Sequence, residues 1–113
     1  MAERLEILDG QSWEPFVRSP LAMLMLGKSD CAACKTWTEE LEQFLAQDTA
    51  YAHVRFGKIF LDKPGLVSFK RAHPWIAELD NLPCNVLFVN GEKRKQWLGG
   101  GGERMTHRID TLD

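Results

Sequence analysis

The chain has 113 residues, 44% hydrophobic and 27% charged, which suits one domain over residues 1–113 with a single continuous core and excludes a disordered chain. Its formal net charge of -2 implies no strongly basic face, so nucleic acid is not an expected partner. The longest apolar run, 21–26, is far short of the roughly 20 residues of a membrane span, and MAERLEILDG lacks the basic-then-apolar order of a secretory signal, so a soluble, cytoplasmic monomer is expected, although an exported protein after signal removal would read the same.

Residues 4–8 alternate charged and apolar side chains, as an edge strand does. Ser12, Glu14 and Pro15 supply a cap, an acid and an early proline for a short helix ending near Pro20. Residues 21–26 form a continuous apolar run stopped by Gly27, the signature of a strand buried on both faces. A polar turn, Lys28-Ser29-Asp30, leads into a helical pattern from Ala32 to about Gln47. Ala33, Trp37, Leu41, Phe44 and Leu45 form its apolar stripe, and Ser29 or Asp30 is placed to cap its first turn. Residues 54–61 read as a strand, Asp62-Lys63-Pro64-Gly65 as a turn, 66–72 as a helix and 75–79 as a further helical turn after Pro74. Residues 86–89 and 93–98 read as strands joined by Asn90-Gly91, the strongest short hairpin signal. Four glycines, 99–102, precede a weakly amphipathic helix over 103–112. Strands alternating with helices and closed by a hairpin predict an α/β fold: a central mixed sheet with helices on both faces.

The chemistry concentrates at Cys31-Ala32-Ala33-Cys34, where an apolar strand gives way to a helix. Unpaired backbone N–H groups at a helix start favour a thiolate over a thiol, and thiol pKa values there fall to roughly 3.5–7.5. Residues three apart share a helix face, so the two sulfurs can meet. Cys31, at the exposed end, reads as the attacking thiolate, and Cys34, one turn deeper, as the resolving thiol. Lys28 and Lys35 favour ionisation of Cys31 and Asp30 opposes it, which predicts a lowered but not extreme pKa. Three cysteines in all argue against a disulfide framework. The same spacing can supply half a zinc site, but no second pair accompanies it, and it can equally be two thiols kept reduced as small apolar residues.

With these elements placed, the chain resembles the thioredoxin family over nearly its whole length. The matching pieces are LAMLML, CAAC followed by Lys35, FGKIFLDKPG, and LPCNVLFVNGEKRKQWLGG. The resemblance implies a thioredoxin-like three-layer fold and thiol–disulfide oxidoreductase activity on protein clients, re-reduced by a reductase or other dithiol partner, with no cofactor and no metal. It implies that Pro83 is cis and faces the dithiol, where a plain trans proline opening a strand is the alternative. The backbone around Leu82, Pro83 and Cys84 would then offer strand-like hydrogen bonds to an extended substrate. Departures mark a specialised version: Asp30 stands where a tryptophan is usual, Ala32-Ala33 replaces Gly-Pro, and Met25 or an apolar neighbour takes the place of a buried aspartate that assists proton transfer to the second cysteine. Lys58 matches a lysine that lies under the active site in the family.

Cys84 has two readings: a small packed residue on a core strand, or a third sulfur that joins Cys31 and Cys34 around a soft metal or iron–sulfur cluster. A redox-inert binding module is a further alternative to the enzyme. Trp13, Trp37, Trp75 and Trp97 read as core or groove aromatics, and the three histidines share no ligand spacing.

Overall fold

A computed structural model describes residues 4–112. The elements run β1 (Leu5–Ile7), α1 (Trp13–Val17), β2 (Ala22–Gly27), α2 (Ala32–Gln47), β3 (Arg55–Phe60), α3 (Val67–Ala72), a 3₁₀ turn (Pro74–Glu78), β4 (Cys84–Val89), β5 (Glu92–Leu98) and α4 (Gly102–Asp110). The five strands form one sheet in the order β1-β3-β2-β4-β5. β1, β3 and β2 are parallel, while β4 and β5 run antiparallel to their neighbours.

β2 is the central strand, and every one of its residues is buried, which explains why LAMLML carries no polar alternation. Its side chains alternate between two cores. Ala22, Leu24 and Leu26 point into one with Trp13, Phe16, Phe69 and Ile76. Met23 and Met25 point into the other with Trp37, Leu41, Leu45, Met105 and Ile109. α1, α3 and the 3₁₀ turn therefore cover one face, and α2 and α4 cover the other. Fully burying each large apolar side chain contributes roughly 1.5–3 kcal/mol, so this double packing fixes the sheet register as well as the layers.

The Asn90-Gly91 turn has positive φ at both residues, 51° and 89°, as a tight right-twisting hairpin requires. Two local expectations are corrected. Ser12 makes no side-chain cap to α1; its hydroxyl bonds Asp9 instead. Ala33 is exposed, and the buried stripe of α2 is Cys34, Trp37, Thr38, Leu41 and Leu45.

Candidate functional site

The site forms where β2 hands the chain to α2. Gly27 ends the strand, residues 28–30 turn, and Cys31 occupies the N-cap of α2 with extended backbone angles. Neither Ser29 nor Asp30 caps the helix, contrary to expectation. The Sγ of Cys31 accepts the N–H of Cys34 at 3.1 Å, so sulfur itself takes the place of a capping oxygen. Ser29 is held elsewhere: its N–H donates to Asp62 Oδ1 at 3.1 Å. Any negative charge on Cys31 would therefore sit against an N–H that has no partner within the helix, at the positive end of a 16-residue helix.

Cys31 and Cys34 are joined as a disulfide, with Cα atoms 5.2 Å apart. Cys31 is partly exposed; Cys34 is buried at 3% exposure. Gly27 makes this possible, because a methyl group there would lie 3.3 Å from both Cβ and Sγ of Cys34.

Across the sheet, the Leu82–Pro83 peptide is cis. β2 pairs with β4 so that Leu26 opposes Cys84, the residue after the cis-proline, and Pro83 itself is buried. Leu82 is half-buried and packs against the same cluster as Cys31 and Cys34. The Pro83 carbonyl accepts the Gly99 N–H at 2.9 Å.

Of the two readings of Cys84, the packed residue on a core strand is the one the structure shows. Alternation along β4 turns its side chain into the opposite core, among Leu8, Trp13, Leu26 and Phe88, where it is fully buried. It cannot join Cys31 and Cys34 around a metal, and its side chain cannot touch a substrate. Its backbone is already paired with β2 on one side and β5 on the other. Burial pushes its thiol up to about 11 from an ordinary 9.0. No group of three or more histidine, cysteine or acidic side chains that could hold a metal occurs among the described residues.

Beside the dithiol, between α2 and the ends of β2 and β3, a cleft of about 380 Å³ is lined by Cys31, Cys34, Met25, Thr38, Lys58 and Phe60, with further polar residues at its rim. Met25 is fully buried, so an apolar thioether occupies the place where the resemblance puts a carboxylate. Lys58 is 9% exposed; its ammonium donates to Thr38 Oγ1 at 3.3 Å and lies 4.4 Å from the centre of the Phe60 ring. Burial lowers its pKa, opposed by the charge of Glu42. The Thr38 hydroxyl donates to the carbonyl of Cys34 at 2.8 Å.

One buried polar residue at the site escaped the sequence analysis. Asn85, fully buried, accepts the indole N–H of Trp37 at 2.8 Å and donates its amide to the Gly99 carbonyl at 2.8 Å. A lone asparagine inside the apolar run CNVLFV was the available signal, since a buried amide needs partners.

A mixed five-stranded sheet between helical layers, with a cysteine pair at the start of the helix after its central strand and a cis-proline opening the neighbouring strand, defines the thioredoxin fold. Solved structures agree. Thioredoxin f from spinach chloroplast (long form) superposes with a TM-score of 0.76 at 14% identity, covering 96% of this chain and 85% of that one. Thioredoxin O2 from Arabidopsis thaliana in its oxidised state gives 0.74 at 15%, covering 99% and 96%, and thioredoxin f2 from Chlamydomonas reinhardtii gives 0.73 at 21%, covering 94% of each. No family model and no curated protein matches the sequence.

Proposed function

We propose that the chain is a thiol–disulfide oxidoreductase acting on protein clients through Cys31 and Cys34. The observation that carries the proposal is the position of Cys31: a partly exposed sulfur at the N-cap of α2, bonded to a buried sulfur one turn deeper. In the reduced protein, the Cys31 thiolate attacks one sulfur of a client disulfide. A mixed disulfide forms and the client's other sulfur leaves as a thiolate, which takes up a proton from water. Cys34, as its thiolate, then attacks Cys31, forming the intramolecular disulfide and releasing the second client thiol. The client gains two electrons and the Cys31–Cys34 pair loses them. A reductase or other dithiol partner returns them, in keeping with a reducing compartment such as the cytoplasm.

The edge at Leu82 and Pro83 suits an extended client segment beside the dithiol, held in the manner of an added strand by the backbone groups of Leu82, since Pro83 has no N–H and its carbonyl already accepts the Gly99 N–H. Cys84 plays no part in this contact. Met25 leaves the buried end of the dithiol without a carboxylate, so the second step relies on water or another base and is the slower one. The same observation favours a second reading, a binding module whose dithiol turns over poorly.

Reduction of insulin by dithiothreitol tests the proposal. The wild-type protein accelerates it; Cys31→Ser and Cys34→Ser bring the rate to background, and Cys34→Ser accumulates client-linked mixed disulfides. An unchanged rate in Cys31→Ser contradicts the exchange mechanism, and clients retained by Cys34→Ser without a covalent bond favour the binding module.

A further inference from the structure

The geometry points to Asn85 as a positioning residue that fixes the gap between the Leu82–Pro83 edge and the helix carrying the dithiol. This role presupposes the exchange activity proposed above and concerns how a protein client spans that gap.

A short circuit of hydrogen bonds carries it. From Pro83, the carbonyl accepts the Gly99 N–H at 2.9 Å. The Gly99 carbonyl accepts the Asn85 side-chain amide at 2.8 Å. The Asn85 oxygen accepts the Trp37 indole N–H at 2.8 Å. Trp37 lies three residues beyond Cys34 on α2, buried on the same stripe. The chain from Pro83 through Cys84 to Asn85 closes the circuit covalently. The orientation of the amide is fixed by chemistry: an indole N–H is donor only and a carbonyl is acceptor only. Leucine satisfies neither, and aspartate would set a negative oxygen against the Gly99 carbonyl.

Packing leaves the circuit little slack. A methyl group on Gly100 would come within 3.0 Å of the Trp37 ring, so the backbone of Gly100 lies close against the indole. Asn85 thus joins three separate pieces: the strand that opens at Pro83, the loop behind that proline, and the helix that aims Cys31 and Cys34. A buried amide with both ends satisfied holds its partners in one arrangement, and removing it leaves the buried Trp37 indole N–H unpaired and frees the Gly99 carbonyl.

A protein client must reach Cys31 and lie along the Leu82–Pro83 edge together, so it senses the gap. A small disulfide needs Cys31 alone. Asn85→Leu is therefore expected to lower kcat/KM for insulin reduction about tenfold, since small misplacements of reacting groups cost rate steeply, while leaving the rate with 2-hydroxyethyl disulfide unchanged. Trp37→Phe keeps the ring and loses only the N–H, and it is expected to give the same split with a smaller loss; it carries the test if Asn85→Leu fails to fold. Parallel losses on both substrates, or no loss on insulin, overturn the positioning role. A wild-type protein that turns over neither substrate overturns the exchange activity instead, so the two failures are distinguishable.

Discussion

Cys34 and Cys84 are both buried, at 3% and 0% exposure, and lie one on each side of the same sheet. Cys34 sits one turn into α2, bonded to a half-exposed sulfur and donating its backbone N–H to it. Cys84 sits in the middle of a three-strand ladder among aliphatic and aromatic side chains, and burial holds it as a neutral thiol. Equal burial therefore comes with different surroundings. The backbone at a helix start supplies donors to a sulfur anion, whereas the interior of a sheet has spent its donors on the ladder.

Paired substitutions test this contrast most strongly. Cys34→Ser removes disulfide turnover. Cys84→Ser leaves turnover unchanged and lowers stability by roughly 1–3 kcal/mol, the cost of a hydroxyl buried in an apolar site, read from the urea midpoint. Loss of turnover in Cys84→Ser would break the contrast. The Cys84 thiol also sets a pH signature. Its folded pKa lies above the unfolded value, so its contribution to stability is complete below about 9 and is lost as pH rises through about 11. Cys84→Ser flattens that alkaline fall in thermal melts recorded from pH 8 to 11.

Gly27→Ala probes the other face. Its methyl group meets Cys34 Cβ and Sγ at 3.3 Å, so Cys34 must shift. The expected cost is about 1 kcal/mol of stability, together with a measurable change in the equilibrium potential of the Cys31–Cys34 couple against glutathione. An unchanged potential would show that the contact does not position Cys34.

The smallest effect belongs to Lys58. Burial lowers the pKa of its ammonium in the folded state, so the unfolded chain binds the proton more tightly. Stability contributed by this group then rises with pH from the folded value toward the ordinary 10.5, opposite in sign to Cys84. Lys58→Met is expected to raise the urea midpoint slightly at pH 7, with the gain shrinking as pH approaches 10. A lower midpoint at pH 7 would show that the contacts to Thr38 and Phe60 outweigh desolvation.

Much of this arrangement was legible in the sequence because it rests on local chemistry. The 16-residue span of α2 followed from helical periodicity that begins at the cysteines and stops before Asp48. The Asn90-Gly91 turn followed from two residues that tolerate positive φ. The cysteine pair was legible because spacing and flanking elements together define it. What was misjudged or left open depends on tertiary parity or on close alternatives. Cys84 carried two readings because its place next to Pro83 in the chain does not say which face of the sheet its side chain takes; side chains alternate along a strand, and the parity of β4 puts Cys84 in the core opposite that of Cys34. The cap of α2 was assigned to Ser29 or Asp30 because oxygen caps are common, whereas a sulfur fills the position. Asn85 went unread because its partners, Trp37 and Gly99, lie 48 and 14 residues away in the chain, and no local pattern announces such a bond.

The most direct measurement is alkylation of the reduced protein by iodoacetamide across pH, with each cysteine followed by mass spectrometry. Cys31 is predicted to react first, with a midpoint below the roughly 8.5 of free cysteine, while Cys34 lags and Cys84 stays unmodified until the chain unfolds. Preferential labelling of Cys84, or a Cys31 midpoint above that of free cysteine, would contradict a nucleophilic sulfur held at the start of α2.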